Sequence, residues 1–259
     1  PLQESKNCGG YAYQVSKDYI SYEHEKMLLD RFTDDFILNK ILNTNGNLSY
    51  YLLPEGSISL AERQDVKAFA QYINDHYKKG NILDMGCGPM EIPGYLIPIK
   101  DQNNQLIGLD PLPEILFKGI KIIGCSEFLP IQNESVDTII FATSLDHVCN
   151  LKQTFEEAYR SLSWGGKVIC WHWYNGMPFA NWKRKLMLSL FKKKRYYPYS
   201  NGVSFVVPSG AIDPFHKDYI SIKQLTSIAK KAGFKISDIS TKGSKYEIPE
   251  WNYFFSLEK

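Results

Sequence analysis

The chain has 259 residues, enough for one large α/β domain or a core with an appended lid, and enough to bury a substantial core. At 44% hydrophobic and 22% charged residues it has the balance of an ordinary soluble globular protein. A net charge of +2 is too small to advertise nucleic acid or a membrane surface, so any such signal must be local. The five cysteines (Cys8, Cys87, Cys125, Cys149, Cys170) are odd in number and lack C-x-x-C spacing. That fits free thiols in a reducing compartment better than a disulfide framework or a zinc site. No apolar run is long enough to cross a bilayer, and no signal-peptide pattern opens the chain. It begins at Pro1 rather than Met, as trimming or excision from a longer chain would leave it. The expected location is cytoplasmic, and no metal is expected.

From Glu25 to Leu42 the residues Met27, Leu28, Phe32, Phe36, Ile37 and Ile41 recur at helical spacing and predict a helix. After the turn-rich stretch NTNGNLSYYLLPEG a second helix is expected, opened by a capping box of Ser59 and Glu62 and ended near Gly80. Short apolar strands then alternate with helical connections: NILDM, QLIGLD, KIIG, VDTIIFA and GKVICWHWY. Strands this apolar argue a parallel sheet covered on both faces. A helix over Leu151–Leu162 ends before Gly165-Gly166, which supply the exit into the fifth strand. A long insert then interrupts the alternation. Regularity resumes with a helix opened by Ser221 and closed by Gly233, followed by FKISDIST and WNYFFSLEK. The expected fold is α/β, with an N-terminal helical extension over 1–66, a sheet core over 67–174, an inserted cap over 175–220 and completion of the sheet over 221–259.

The stretch DMGCGPM lies between the first predicted strand and an expected helix, where glycines bring backbone N–H groups close to a ligand. A dinucleotide fingerprint needs G-x-G-x-x-G, and here Gly86 and Gly88 are followed by Glu91 where the third glycine belongs. A P-loop needs a lysine and a hydroxyl residue in register, and neither follows. Asp84 at the loop head and Glu91 beyond it would both repel a pyrophosphate. S-adenosylmethionine has the opposite requirements, since it has no phosphate and carries a sulfonium and an ammonium. An acid ending the first strand suits the ammonium, and the glycines let the backbone pass under the methionyl carboxylate and ribose. Asp110, ending the second strand, is where an acid takes ribose hydroxyls, a role shared with dinucleotide folds.

Four blocks in order, NILDMGCGPM, QLIGLDPL, GCSEFLPIQNESVDTIIFATSLDHV and FEEAYRSLSWGGKVIC, resemble class I S-adenosylmethionine-dependent methyltransferases. The resemblance is to the branch containing the ubiquinone/menaquinone C-methyltransferases, and it is strong over Asn81 to Trp173. It implies a Rossmann-like, seven-stranded, mostly parallel sheet whose last strand inserts antiparallel, with the cofactor at the carboxyl ends of the early strands. Asp84, Gly86, Cys87 and Gly88 would form the methionyl and ribose cradle, and Asp110 with Pro111 would hold the ribose. The family usually has an adenine-binding aspartate where Cys125 stands. A thiol is a poor acceptor, so Ser126 and Glu127 would compensate, with Phe128 and Leu112 sandwiching the purine. Thr143 and Ser144 would line the floor beneath the sulfonium. Met90 departs from the small residue usual there, and packing beside the cofactor is the expected role. The phrases CGPMEIPGYL, FATSLDHV and DPFHKDYIS look similar to a subset found with surface-polysaccharide and sugar modification.

The implied reaction is methylation at oxygen of a small molecule or glycan, such as a sugar, sugar nucleotide or lipid-linked glycan. S-adenosylhomocysteine would be the product. A base would come from His147, after the fourth strand, or His216, in the insert, with Asp146 orienting or replacing it. Equally open are a backbone-fixing role for His147, a surface role for His216 and a helix-capping role for Asp146. His172, between Trp171 and Trp173, is balanced between wall residue and base. The segment 179–195 gathers seven basic residues around Phe179, Trp182, Leu186 and Leu190. It reads first as an ordinary cap helix with a solvated basic side, and then as a peripheral membrane contact or a surface for an anionic acceptor. Two alternatives remain: a non-catalytic protein that keeps the fold, motivated by Met90 and Cys125, and an RNA methyltransferase. Nucleic acid is the weaker partner, because no amide-activating N-P-P-Y-like motif is present.

Overall fold

The computed structural model describes residues 2–4, 14–16, 61–88, 90–110, 117–145, 148, 150–173, 195–198, 204–207, 220–248 and 252–259. The predicted helix over Glu25–Leu42, Ser59 of the expected capping box and the basic stretch before Arg195 lie outside these residues. A short antiparallel hairpin pairs β1 (Leu2–Glu4) with β2 (Gln14–Ser16).

Helix α1 (Gln64–His76) opens at Arg63 rather than at Ser59 and ends four residues before Gly80. Its first turn is organised by Asp65. The Arg63 guanidinium grips that carboxylate at 2.6 and 3.0 Å, and the Val66 N–H donates to it at 2.9 Å. A negative charge there also suits the positive end of the helix. Gly80, at φ +132°, turns the chain into β3 (Asn81–Met85). The expected helix after β3 does not form. Pro93, Gly94 and Pro98 break the segment into a single 3-10 turn, Gly94–Leu96, because proline removes donors and glycine lowers helix propensity.

The strands β4 (Gln105–Asp110), β5 (Ile120–Ile123) and β6 (Val136–Ala142) lead to α2 (Leu151–Ser161) and the long β7 (Leu162–Trp173). Gly165, at φ +68°, sits where the β6–β7 register shifts. Within the inserted segment, β8 (Arg195–Pro198) pairs antiparallel with β9 (Ser204–Val207). Helix α3 (Ile222–Lys231) carries the expected start, a full capping box between Ser221 and Gln224, and Gly233 follows its end at φ +111°. The chain closes with β10 (Lys235–Ser240) and β11 (Asn252–Glu258).

The main sheet has seven strands in the order β10-β11-β7-β6-β3-β4-β5. Neighbours from β7 to β5 are parallel, whereas β11 runs antiparallel to both β7 and β10. The seven-stranded, mostly parallel sheet with an inserted antiparallel last strand is therefore present. The chain builds outward from β3 through β4 to β5, then returns to the other side of β3 with β6. That reversal is a topological switch point at the carboxyl ends of β3, β4 and β6, the place where open α/β sheets bind ligands.

One face of the sheet packs Leu83, Ile139, Val168 and Leu257 against Phe155 and Ala158 of α2 and Leu225 and Ala229 of α3. The other packs Ile82, Ile140, Ile169 and Trp171 against α1. Phe69 of α1 is the hub there, with ring centroids 5.0 Å from Phe254, 5.4 Å from Trp171 and 5.7 Å from Tyr95. Among the described residues no helix is long and apolar enough to cross a membrane.

Candidate functional site: an acid-headed glycine loop

The loop Gly86-Cys87-Gly88 leaves the carboxyl end of β3 and is held from both sides. The N–H groups of Gly86 and Cys87 both donate to the Leu109 carbonyl of β4, at 2.7 and 3.3 Å. The Gly88 N–H donates to Oδ2 of Asp110 at 2.8 Å. Both glycines lie in the left-handed region, Gly86 at φ +80° and Gly88 at φ +66°, where an L side chain is strained. Their surroundings differ. A β-carbon on Gly86 would sit 2.6 Å from the Ser144 β-carbon, whereas one on Gly88 would meet none of the described residues within 4 Å. The first glycine is a packing contact and the second faces open space.

Behind the loop, Thr143 and Ser144 follow the end of β6. Thr143 has φ +56°, an outlier for a β-branched residue, and its N–H is held by the Trp171 carbonyl at 2.9 Å. The Ser144 hydroxyl donates to the Met85 carbonyl at 2.6 Å, so the ends of β3 and β6 are locked together.

Asp84 is fully buried. Its Oδ2 accepts from the Tyr95 hydroxyl at 2.9 Å, and its Oδ1 has no hydrogen-bond partner. Burial, opposed by the Tyr95 bond and reinforced by the charge of Asp110, pushes its carboxyl up to about 8. An acid with one unanswered buried oxygen suits a ligand that brings a cation, which restores the ionised form and fills the missing bond.

Residues 83–170 match the sequence profile of a family described as a methyltransferase domain. Over these residues the chain is similar to a methyltransferase domain. Solved structures share its fold. A Pyrococcus horikoshii protein is 18% identical with a TM-score of 0.55, covering 83% of this chain and 97% of its own. An S-adenosylmethionine-dependent methyltransferase of Archaeoglobus fulgidus is 15% identical with a TM-score of 0.55, covering 81% and 99%. A Haemonchus contortus phosphoethanolamine N-methyltransferase, in complex with phosphomonomethylethanolamine and S-adenosylhomocysteine, is 14% identical with a TM-score of 0.52, covering 83% and 57%. No curated protein matches the chain.

The residues at this site fit S-adenosylmethionine. The unpaired Asp84 oxygen answers an ammonium, the open side of Gly88 leaves room for a ligand against the backbone, and the buried Asp110 at the end of β4 stands where ribose hydroxyls are taken. A phosphate-bearing cofactor fits less well, because among the described residues no α-helix begins after the loop to supply a dipole. One part of the electrostatic argument changes. Glu91 is ion-paired with Lys118, so its charge is answered and the case against pyrophosphate rests on Asp84 and the missing helix.

Other expected residues take more specific places. The Cys87 thiol is buried, and a β-carbon on Gly108 would lie within 3 Å of both Cys87 and Phe117, so glycine at 108 makes room for them. Burial pushes that thiol, and the Cys170 thiol, well up, as expected of packing cysteines rather than nucleophiles. Cys125 is half-buried against the core. Ser126 and Glu127 point their side chains at α2. The Ser126 hydroxyl bonds Thr154 at 3.1 Å, and the Glu127 carboxylate accepts from Ser126 at 3.2 Å and from the Asn150 N–H at 3.1 Å. Phe128 is buried in the core and Met90 is half-buried. His172 is buried, and its Nε2 donates to the Ile220 carbonyl at 2.8 Å, tying β7 to the start of α3. Pro111, Leu112, Asp146, His147 and His216 lie outside the described residues.

Sequence reading missed Tyr95, the hydrogen-bond donor to Asp84. It stands eleven positions along the chain, inside the segment expected to be helical, and nothing local marks it. It also assigned no role to Glu157 and Arg160, although both stand in a quoted block.

Proposed function

We propose that this domain moves a methyl group from S-adenosylmethionine to an oxygen of a small molecule or glycan, such as a sugar, a sugar nucleotide or a lipid-linked glycan. The observation that carries the donor half is the unpaired, buried Oδ1 of Asp84 beside the open glycine loop. When bound, the sulfonium supplies a methyl carbon already activated for displacement. The chain then supplies position, exclusion of water and, for an oxygen acceptor, a base. His147, five residues beyond the end of β6 in the sequence, or His216 in the segment 175–220 serves as that base, oriented by Asp146. Tyr196, Tyr197 and Tyr199 suit the face of a sugar.

The likeness of three phrases to a polysaccharide-modifying subset of the menaquinone-type branch supports a glycan. The Haemonchus contortus structure, with its small phosphorylated ligand, supports a small acceptor over a macromolecule. A cytoplasmic enzyme touching a membrane surface through 179–195 accords with a lipid-linked acceptor.

Calorimetry on the intact protein should detect S-adenosylmethionine and S-adenosylhomocysteine. Asp110→Ala should weaken both by about a hundredfold, as the loss of charge-assisted hydrogen bonds to two hydroxyls implies. Methyl-tritiated cofactor incubated with sugars, sugar nucleotides, lipid-linked glycans and RNA should label a glycan hydroxyl. Absence of cofactor binding, or label confined to RNA, would overturn the reading.

A further inference from the structure

Along α2, the N-cap Asn150 and then Thr154, Glu157 and Arg160 recur three or four residues apart and so share one face of the helix. The middle of that face is polar yet turned inward, whereas Asn150 at its start is exposed. Glu157 is buried and Thr154 is fully so. This face is bonded repeatedly to one stretch of chain, residues 126–133. Thr154 bonds the Ser126 hydroxyl at 3.1 Å, and the Asn150 N–H bonds Glu127 at 3.1 Å. Glu157 accepts from the Leu129 N–H at 2.9 Å, while Arg160 donates to the Leu129 carbonyl at 3.0 Å. One ion pair, closed at 2.9 Å, therefore serves both the donor and the acceptor of a single buried residue, as a neighbouring strand would. The second arm of Arg160 reaches the Ile131 carbonyl and Asn133 Oδ1, each at 2.7 Å. At its other end the same loop begins with Gly124, whose N–H donates to the carbonyl of Asp110 at 3.1 Å. The loop is thus strung between the ribose acid and a rigid polar face.

We propose that Asn150, Thr154, Glu157 and Arg160 are positioning residues that hold the loop 124–133 in the shape that receives the purine of the cofactor. The proposal rests on the S-adenosylmethionine reading of the site. It gives a physical reason why the usual aspartate is dispensable at Cys125. With the loop fixed from behind, the purine is met by a preformed backbone surface instead of a side-chain carboxylate. It also gives a role to the turn of Ser126 and Glu127 toward α2: their side chains brace the loop and leave its backbone to meet the purine.

The test compares S-adenosylhomocysteine with 5′-methylthioadenosine, which keeps the purine and ribose but lacks the amino-acid end. Calorimetry and thermal unfolding are run on the intact chain and on Thr154→Val, Thr154→Ser, Glu157→Gln and the core control Val168→Ala. Thr154→Val should weaken both ligands by the same factor, about tenfold, since small displacements of a binding surface are costly. Thr154→Ser, which keeps the hydroxyl, should restore wild-type affinity. Glu157→Gln should act like Thr154→Val. Val168→Ala should lower Tm while leaving both affinities unchanged. Affinities that follow Tm in the control as well, unaltered binding in Thr154→Val and Glu157→Gln, or a loss confined to S-adenosylhomocysteine would each overturn the clamp and leave the cofactor reading standing. Failure of the unaltered protein to bind either ligand would overturn both.

Discussion

Asp84→Asn should make the protein more stable at pH 8.5, by about 2 kcal/mol, and about a hundredfold weaker for S-adenosylhomocysteine. The stability half follows from linkage. The folded-state carboxyl of Asp84 titrates near 8, well above the unfolded value of about 3.9. Between those limits the folded protein keeps a proton that the unfolded chain has released. This group therefore favours the folded state most below pH 4, and that contribution declines as pH rises toward 8. Asparagine carries no charge to bury and still accepts from Tyr95, so the decline disappears. Its amide donor lies where Oδ1 has no partner, which offsets part of the gain.

The affinity half has the opposite origin. The acid that destabilises the free protein is the one an ammonium needs. Below pH 8 the ligand must displace the Asp84 proton, so wild-type affinity should rise by up to about tenfold per pH unit between pH 6 and 8, while the variant stays flat. The rise should end near pH 8, where an α-amino group begins to lose its own proton. Thermal unfolding and calorimetry across that range check both halves. Equal affinity at pH 6 and pH 8 in the wild type, or undiminished affinity in Asp84→Asn, would remove the ammonium from Asp84.

Gly88→Ala and Gly86→Ala should fail in different ways, although one residue separates them. At Gly88 the added methyl meets none of the described residues within 4 Å, so only the left-handed backbone is penalised, by about 1–2 kcal/mol. The space it enters is the one proposed for the cofactor, and cofactor affinity should fall by about a hundredfold in a protein that remains folded. At Gly86 the methyl would press on Ser144, whose hydroxyl bonds the end of β3, and stability should fall by about 3 kcal/mol or more. Urea unfolding and calorimetry on the two variants separate the cases. Wild-type affinity in Gly88→Ala would place the cofactor elsewhere at the carboxyl ends of the strands.

The apolar strand runs were readable because a strand buried on both faces has few alternatives to Val, Ile and Leu, and each predicted strand of the main sheet is present. The start of α3 was readable because a capping box is local chemistry between Ser221 and Gln224. The start of α1 was misplaced because Ser59 and Glu62 spell the same local pattern, while the helix begins where Arg63 and Asp65 organise its first turn. The missing helix after the glycine loop was signalled by Pro93 and Pro98, but the expectation of strand–loop–helix outweighed them.

The sequence by itself pointed the loop toward a cationic ligand, because an acid at its head and a missing third glycine are matters of residue identity. It also determined the strand content, through composition and period. Only the tertiary structure decided what each residue does there. It made Asp84 an acid with one unanswered oxygen, Gly86 a packing contact, Gly88 an opening and Ser126 a brace. Those roles come from contacts between residues such as Tyr95, Ser144 and Thr154 and the loops they hold, brought together by strand order and crossover. A linear pattern carries local preference, whereas an unpaired oxygen or an open space is defined by everything that surrounds it.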